Sequence, residues 1–368
     1  MAQGYRHSVL KAQYPSRQWG GLCHHVYEVF LHCCSFSQSA GERCKRVDDT
    51  IGTCMELGRC LQSDGNAQSV INLRHCAATW GDIRQTPVCC RSNPRNLARA
   101  MCSKWSRVAS SLGMRCETTT TRIQSGEFAQ VNEFPHMVAI VDPTRSLNAF
   151  CGGTLISEDY VITAAHCVDS FFSRYSVRVG IVNLKEEDSQ TIQVLRTIRH
   201  PLYKAPASYH DIALLQLATK VQLSKRVMPA CLPTVNGRLG EGRILTVAGW
   251  GRTETADISN VLLKGFGRTL SRFKCDDALD TGGLNSEFYR AGITDSIICL
   301  DESSSGACQG DSGGPLTGEI PSTCQHVVFG VVSKGSPSCQ ATTVPGIYTN
   351  VEHYIQWIVD NVWPEENL

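Results

Sequence analysis

The chain has 368 residues, with 35 Lys or Arg against 34 Asp or Glu, a formal charge of +1. That length exceeds one compact core, so a large unit with a smaller attachment is expected, and the near-neutral balance supplies no overall field for nucleic acid or an anionic membrane. Nineteen cysteines are too many for a reducing cytosol, and no Cys-x-x-Cys pair points to zinc, which leaves an oxidising, extracellular compartment.

Residues 1–43 form a leader that fits export poorly. Met1 to Gln18 is polar and basic, with no leading apolar core, unlike a secretory signal. The most apolar early stretch, Val26 to Phe36, is interrupted by Glu28 and His32 and is too short to span a bilayer. Followed by Ser37-Gln-Ser-Ala40, it reads as a signal remnant behind a mis-assigned or extended start. Cys23, Cys33 and Cys34 would then be absent from the mature protein.

Residues 44–90 are cysteine-dense, with Cys44, Cys54, Cys60, Cys76 and the adjacent Cys89 and Cys90. Such a segment is too short for a good core and is expected to be held by three bridges, whose connectivity the spacing leaves open. Residues 91–122 are a polar, basic connector carrying Cys102 and Cys116 and ending Glu117-Thr-Thr-Thr-Thr-Arg122. It is expected to be extended and open to proteolysis.

After Ile123 the pattern changes to short alternating apolar runs between turn residues, as in Ser176 to Gly180, Thr191 to Ile198, Ile244 to Ala248 and Val327 to Val332. This predicts an all-β barrel or sandwich for residues 123–368. Near the end, Val351, Ile355, Ile358 and Val362 recur at helical spacing before Pro364, which predicts a terminal amphipathic helix on the β body. No Asn-x-Ser/Thr sequon occurs, so N-glycosylation is not expected.

Three segments carry the chemistry: Thr163-Ala-Ala-His166-Cys167, Asp211-Ile-Ala-Leu-Leu215 and Gly310-Asp-Ser312-Gly-Gly314-Pro315. A hydroxyl is a weak nucleophile at neutral pH, so Ser312 needs a base, and the base needs an acid to fix its tautomer. His166 and Asp211 fill those roles. Asp169 is a rival orienter, but Asp211 opens an apolar run and would be buried, where a carboxylate must be paired. The glycines around Ser312 allow a tight turn in which the amides of Gly310 and Ser312 face a developing oxyanion.

These residues, in the order His, Asp, Ser, resemble the chymotrypsin-type serine peptidase family over residues 123–363. Phe150-Cys-Gly-Gly-Thr-Leu-Ile156, Val247-Ala-Gly-Trp-Gly-Arg252 and Pro345-Gly-Ile-Tyr348 extend the resemblance. It implies two six-stranded antiparallel β-barrels with a C-terminal helix, and a zymogen activated by cleavage between Arg122 and Ile123. The freed amine would pair with Asp311 and so organise the oxyanion amides. Here the new terminus reads Ile123-Gln-Ser-Gly126, where relatives usually have Ile-Val-Gly-Gly.

For specificity the resemblance places Gly306, Gly335 and Gly346 in the primary pocket. Trypsin-like relatives carry an Asp where Gly306 stands, so a neutral, large apolar or aromatic side chain is expected at the cleavage point. A trypsin-like preference with the acid supplied by Asp301 or Glu302 is the alternative. Lys334 replaces a common aromatic wall and would favour acidic residues in nearby subsites. An acid-free pocket could not cut efficiently after Arg122, which implies an upstream trypsin-like activating protease.

Residues 44–90 resemble the clip domain of arthropod cascade proteases, which implies Cys44–Cys89, Cys54–Cys76 and Cys60–Cys90. In the protease part the resemblance implies Cys151–Cys167, Cys275–Cys299 and Cys308–Cys339, with Cys231 bonded to Cys116 or Cys102 and Cys324 taking the other. It further implies protein substrates, a serpin-type inhibitor, secretion and an immune, melanisation or clotting cascade, with no cofactor, no metal, no nucleic acid and no membrane partner. The calcium loop of relatives begins with an acid; here none precedes Glu186, so Glu186, Glu187 and Asp188 read as a solvated charge run. A non-catalytic adaptor built on the protease body is the competing reading, against which the intact triad stands.

Overall fold

The computed structural model describes residues 43–45, 51–56, 87–91, 93–114, 127–143, 146–168, 175–234, 239–252, 259–281, 288–302, 307–320, 325–334 and 344–364. Strands β1 (Arg43–Lys45), β2 (Ile51–Glu56) and β3 (Pro87–Arg91) form an antiparallel sheet in the order β1-β2-β3. Cys54 is buried and disulfide-bonded. The expected partners Cys60 and Cys76, and the side chains of Cys44, Cys89 and Cys90, lie outside the described residues.

The connector is not extended: Pro94–Ser111 is an 18-residue helix, α1. Asn93 caps it, its side-chain oxygen accepting from the Arg95 amide at 2.9 Å, and Pro94 sits in the first turn where a missing N–H does no harm. Leu97, Ala98, Met101, Trp105 and Ala109 share one face and are all buried, the spacing expected of an amphipathic helix. That face packs on the C-terminal helix, with Arg95 bridging to Glu352 at 3.1 Å and Lys104 to Glu158 at 3.5 Å. Cys102 is bonded to Cys231; Cys116, the alternative partner, lies outside the described residues. Because Trp105 is 1% exposed, Trp105→Ala should lower stability by about 3–5 kcal/mol, read as a shift in the chemical denaturation midpoint.

The larger unit is two closed antiparallel barrels. The first rings β5 (Met137–Asp142), β6 (Ser146–Leu155), β7 (Tyr160–Thr163), β8 (Ser176–Val179), β9 (Gln190–Arg199) and β10 (Ala213–Leu217) in the order β10-β7-β6-β5-β8-β9. The second runs β11-β14-β15-β16-β13-β12 and closes through β11–β12 pairing. Its strands are β11 (Ile244–Gly249), β12 (Leu263–Thr269), β13 (Ile297–Asp301), β14 (Pro315–Ile320), β15 (Gln325–Lys334) and β16 (Gly346–Asn350). A short strand, β4 (Glu127–Phe128), adds to β12. Closure leaves few exposed edges.

Val138, Ile140, Ile162, Val177 and Leu214 fill the first barrel, and Leu245, Leu300, Leu316, Val332 and Tyr348 the second. Helix α2 (Arg272–Thr281) is bonded to β13 through Cys275–Cys299. The terminal helix α3 (Ile355–Val362), entered through a single tight turn from Val351, buries Ile355, Ile358 and Val362, as the helical spacing predicts. Glu186 is not a plain solvated charge: its carboxylate accepts from the amides of Val182 and Asn183 at 3.0 and 2.7 Å and pairs with Arg226, folding its own loop.

Candidate active site

His166 sits on the short turn that follows β7, next to Cys167, which is bonded to Cys151 on β6. Its Nδ1 lies 2.7 Å from Asp211 Oδ2, and its backbone amide donates to Asp211 Oδ1 at 2.9 Å. Asp211 precedes β10 and is 1% exposed. Ser333 Oγ donates to Asp211 Oδ2 at 2.6 Å, and Thr349 donates to the Asp211 carbonyl at 2.8 Å. Burial alone would raise the carboxyl pKa, but the His166 charge and the hydrogen bonds from His166 and Ser333 together hold it below the usual carboxylate range. Asp169, the rival orienter, lies outside the described residues.

Backbone close approach brings Ser312 to the same place. Its carbonyl accepts from the Gly152 amide at 2.8 Å, and the Gly313 amide donates to Val332 at 2.8 Å. Gly313 has φ +78°, and a Cβ there would collide with the Thr163 hydroxyl and come within 2.6 Å of the Gly152 carbonyl. The Ser312 loop is thus pressed onto the strand end that leads into His166, a contact that only glycine permits. The amides of Asp311, Gly313 and Gly314 find backbone acceptors; those of Gly310 and Ser312 find none among the described residues. These two are the amides expected to face an oxyanion.

Asp311 is buried, its oxygens accepting from the amides of Gly251 at 2.7 Å and Cys308 at 2.8 Å. A Cβ at Gly249 or Gly251 would overlap this carboxylate, so the glycines of Gly249-Trp-Gly251 hold the space it occupies. No cation pairs with it among the described residues, and burial pushes its pKa up to about 6 against the two amide hydrogen bonds. Its expected partner Ile123, and Arg122 before it, lie outside the described residues.

Gly306 and Gly335 also lie outside the described residues, whereas Gly346 opens β16 and is buried. Of Asp301 and Glu302, the acids named as the alternative to a neutral slot, it is Glu302 that lies against Gly346. The Glu302 carboxylate fills the space in front of Gly346, accepts from the Tyr348 hydroxyl and lies 3.3 Å from the Ala307 amide that donates to it. Counting along the chain to Gly306 could not show this, because the carboxylate arrives from another backbone position. Lys334 lays its ammonium 4.5 Å above the Phe288 ring, a cation–π contact. Cys308 is disulfide-bonded, and its expected partner Cys339 lies outside the described residues.

Ser333, two residues before the pocket glycine Gly335, is a residue that motif reading did not link to the triad; its hydroxyl donates to Asp211. A hydrogen bond to an ionised group is worth about 1.5–3 kcal/mol. Ser333→Ala should therefore lower kcat by roughly one to two orders of magnitude with KM little changed, measured on a peptide substrate after activation.

A profile of the family described as Trypsin matches residues 123–358. Serine protease Hayan of Drosophila melanogaster is 36% identical over 258 residues, which cover 68% of this chain and 40% of that protein. CLIP domain-containing serine protease B4 of Anopheles gambiae is 29% identical over 348 residues, 84% of this chain and 93% of that one. Melanization protease 1 of Drosophila melanogaster is 30% identical over 392 aligned positions, 89% of this chain and 95% of that one. Two closed barrels, a buried Asp–His pair at their junction with a serine loop pressed against it, and this likeness lead to one conclusion: the chain belongs to the trypsin family and is a serine endopeptidase of the arthropod group that carries a clip domain.

Proposed function

We propose that the protein is a secreted zymogen that becomes active when an upstream protease with a basic preference cuts between Arg122 and Ile123. Ser312 then attacks the substrate carbonyl, His166 takes its proton and returns it to the leaving amine, and Asp211 holds the imidazole tautomer. The amides of Gly310 and Ser312 stabilise the oxyanion. The observation that carries this reading is the 2.7 Å contact of His166 Nδ1 with a buried Asp211, on the turn against which the Ser312 loop packs.

The disposition of Asp311 supports the activation step. A buried carboxylate held, among the described residues, by amides alone has no cation there to stabilise its charge, and the α-amine of Ile123 would supply one. Its natural setting is an extracellular cascade of the melanisation or clotting kind, acting on protein substrates and checked by a serpin-type inhibitor. The relative named Melanization protease 1 supports that setting, and no helix among the described residues is long and apolar enough to cross a membrane.

The test is to nick the full chain with immobilised trypsin, remove the trypsin and profile cleavage of a peptide library, with nicked Ser312→Ala as control. Turnover by the nicked chain alone is expected. Equal silence of the two would favour a scaffold that binds without cutting.

A further inference from the structure

We infer that Glu302 is the primary-specificity residue, its carboxylate closing the base of the cleft beside Ser312 and holding the Lys or Arg side chain that precedes the scissile bond. The inference rests on the proteolytic reading above and names the substrate class of that site.

Three separate pieces of chain meet at this carboxylate. Tyr348 and Gly346 belong to β16, Ala307 begins the loop that runs through Cys308 and Gly310 to Ser312, and Glu302 itself follows β13. A Cβ on Gly346 would overlap the carboxylate, so the absence of a side chain at 346 gives Glu302 its room. Asp211 and Ser312 are reached from the same frame: Val332 accepts from Gly313, and the next residue, Ser333, holds Asp211. The acid therefore lies in the same strand cluster as the nucleophile loop, supplied from ahead of the loop and not from Gly306.

Among the described residues the electrostatics lack a counter-charge. Glu302 is 8% exposed, and the charged groups facing it among the described residues are Asp311 on the Ser312 loop and Asp301 at the end of β13, both acidic. Tyr348 on β16 is neutral and donates a hydrogen bond to it. No Lys or Arg among the described residues pairs with Glu302. Burial, with repulsion from Asp311 and Asp301, outweighs the hydrogen bonds from Tyr348 and Ala307 and pushes the carboxyl up to about 7. An isolated buried charge is unstable, whereas a guanidinium or ammonium delivered by a substrate completes a pair with its hydrogen bonds already placed. Such a site takes a basic side chain when ionised and loses that preference as protons fill it.

The sign follows from the raised value. Above about 7 the free pocket is anionic and selects Arg or Lys; as pH falls through that value the carboxyl takes up a proton and the preference fades. Pairing of Asp311 with the amine of Ile123 would remove one source of repulsion and move the transition downward.

The experiment uses the nicked full chain and peptide substrates identical except for Arg, Lys, Phe or Leu before the scissile bond. A fluorophosphonate titrates reactive Ser312 independently of the pocket. The wild type should prefer Arg and Lys, and Glu302→Gln should lose about a hundredfold in kcat/KM for them while Phe and Leu substrates change by less than a few fold. In the wild type alone, the Arg-to-Phe ratio should fall as pH drops below about 7, a readout that needs no variant to fold. A protein that reacts with the fluorophosphonate but shows a ratio insensitive to both pH and Glu302→Gln overturns the inference and leaves the proteolytic reading intact. Failure of the wild type to react or to cut any peptide overturns both.

Discussion

Replacing Asp211 with Asn should lower kcat about ten-thousandfold near neutral pH, the magnitude known for the same change in the trypsin-type triad, with KM altered by no more than a few fold. The carboxylate accepts from His166 Nδ1 and from the His166 amide, so in the native enzyme the ring carries its proton on Nδ1 and offers Nε2 as the base. An Asn amide nitrogen turned to Nδ1 would donate, moving the ring proton to Nε2, where it faces the nucleophile. The ring then has no lone pair for the Ser312 proton. Geometry should survive, because Ser333 and Thr349 tie down the same residue from the second barrel. Rates for the nicked variant, compared at saturating and limiting peptide, separate the two constants. A loss of less than tenfold would mean that Asp211 only packs.

Asp311→Asn should leave the nicked chain close to its uncut state, with kcat/KM down by about a thousandfold. Removing one partner of a buried ion pair costs about 3–5 kcal/mol, and here the removed partner also sets the loop. Its two oxygens receive the amides of Gly251 and Cys308, so its position fixes the backbone on both sides of Gly310. The pH dependence has a definite sign. Pairing raises the amine above its ordinary value of about 8, so activity that depends on the pair is fully present below that range and is lost as pH rises through the raised value. Asparagine removes both the activity and this alkaline fall. A nicked Asp311→Asn protein as active as the wild type would show that the freed amine acts elsewhere or not at all.

The meeting of His166 with Asp211 beside the Ser312 loop was legible because each lies in a contiguous string. His166, Asp211 and Ser312 each lie within a few residues of the glycines, alanines or apolar runs that shape their surroundings, and the terminal helix shows in the spacing of Val351, Ile355, Ile358 and Val362. Helix α1 was not legible because Arg95, Arg99, Lys104 and Arg107 dominate its composition. The apolar face made by Leu97, Met101 and Trp105 becomes decisive only with a groove to receive it. Spacing also could not choose between Cys102 and Cys116, since the choice depends on how that helix lies against Cys231. The sequence offered both Asp301 and Glu302 as acids near the pocket but could not choose between them: side-chain direction at a strand end depends on which neighbour leaves a vacancy, here Gly346.

The short strand β4 has a consequence for how activation can proceed. Phe128 is opposite Leu263, and Leu263 is opposite Gly249 on its other side, which places β4 two strand spacings, roughly 10 Å, from the glycine that abuts Asp311. Only four residues, Ile123 to Gly126, separate the newly made end from β4, and an extended chain of that length spans up to about 14 Å. On the proposed activation, a liberated terminus would therefore start within arm's length of Asp311 and need not search through solvent. Shortening this leash by two residues would strand the amine short of the socket that Asp311 would offer it.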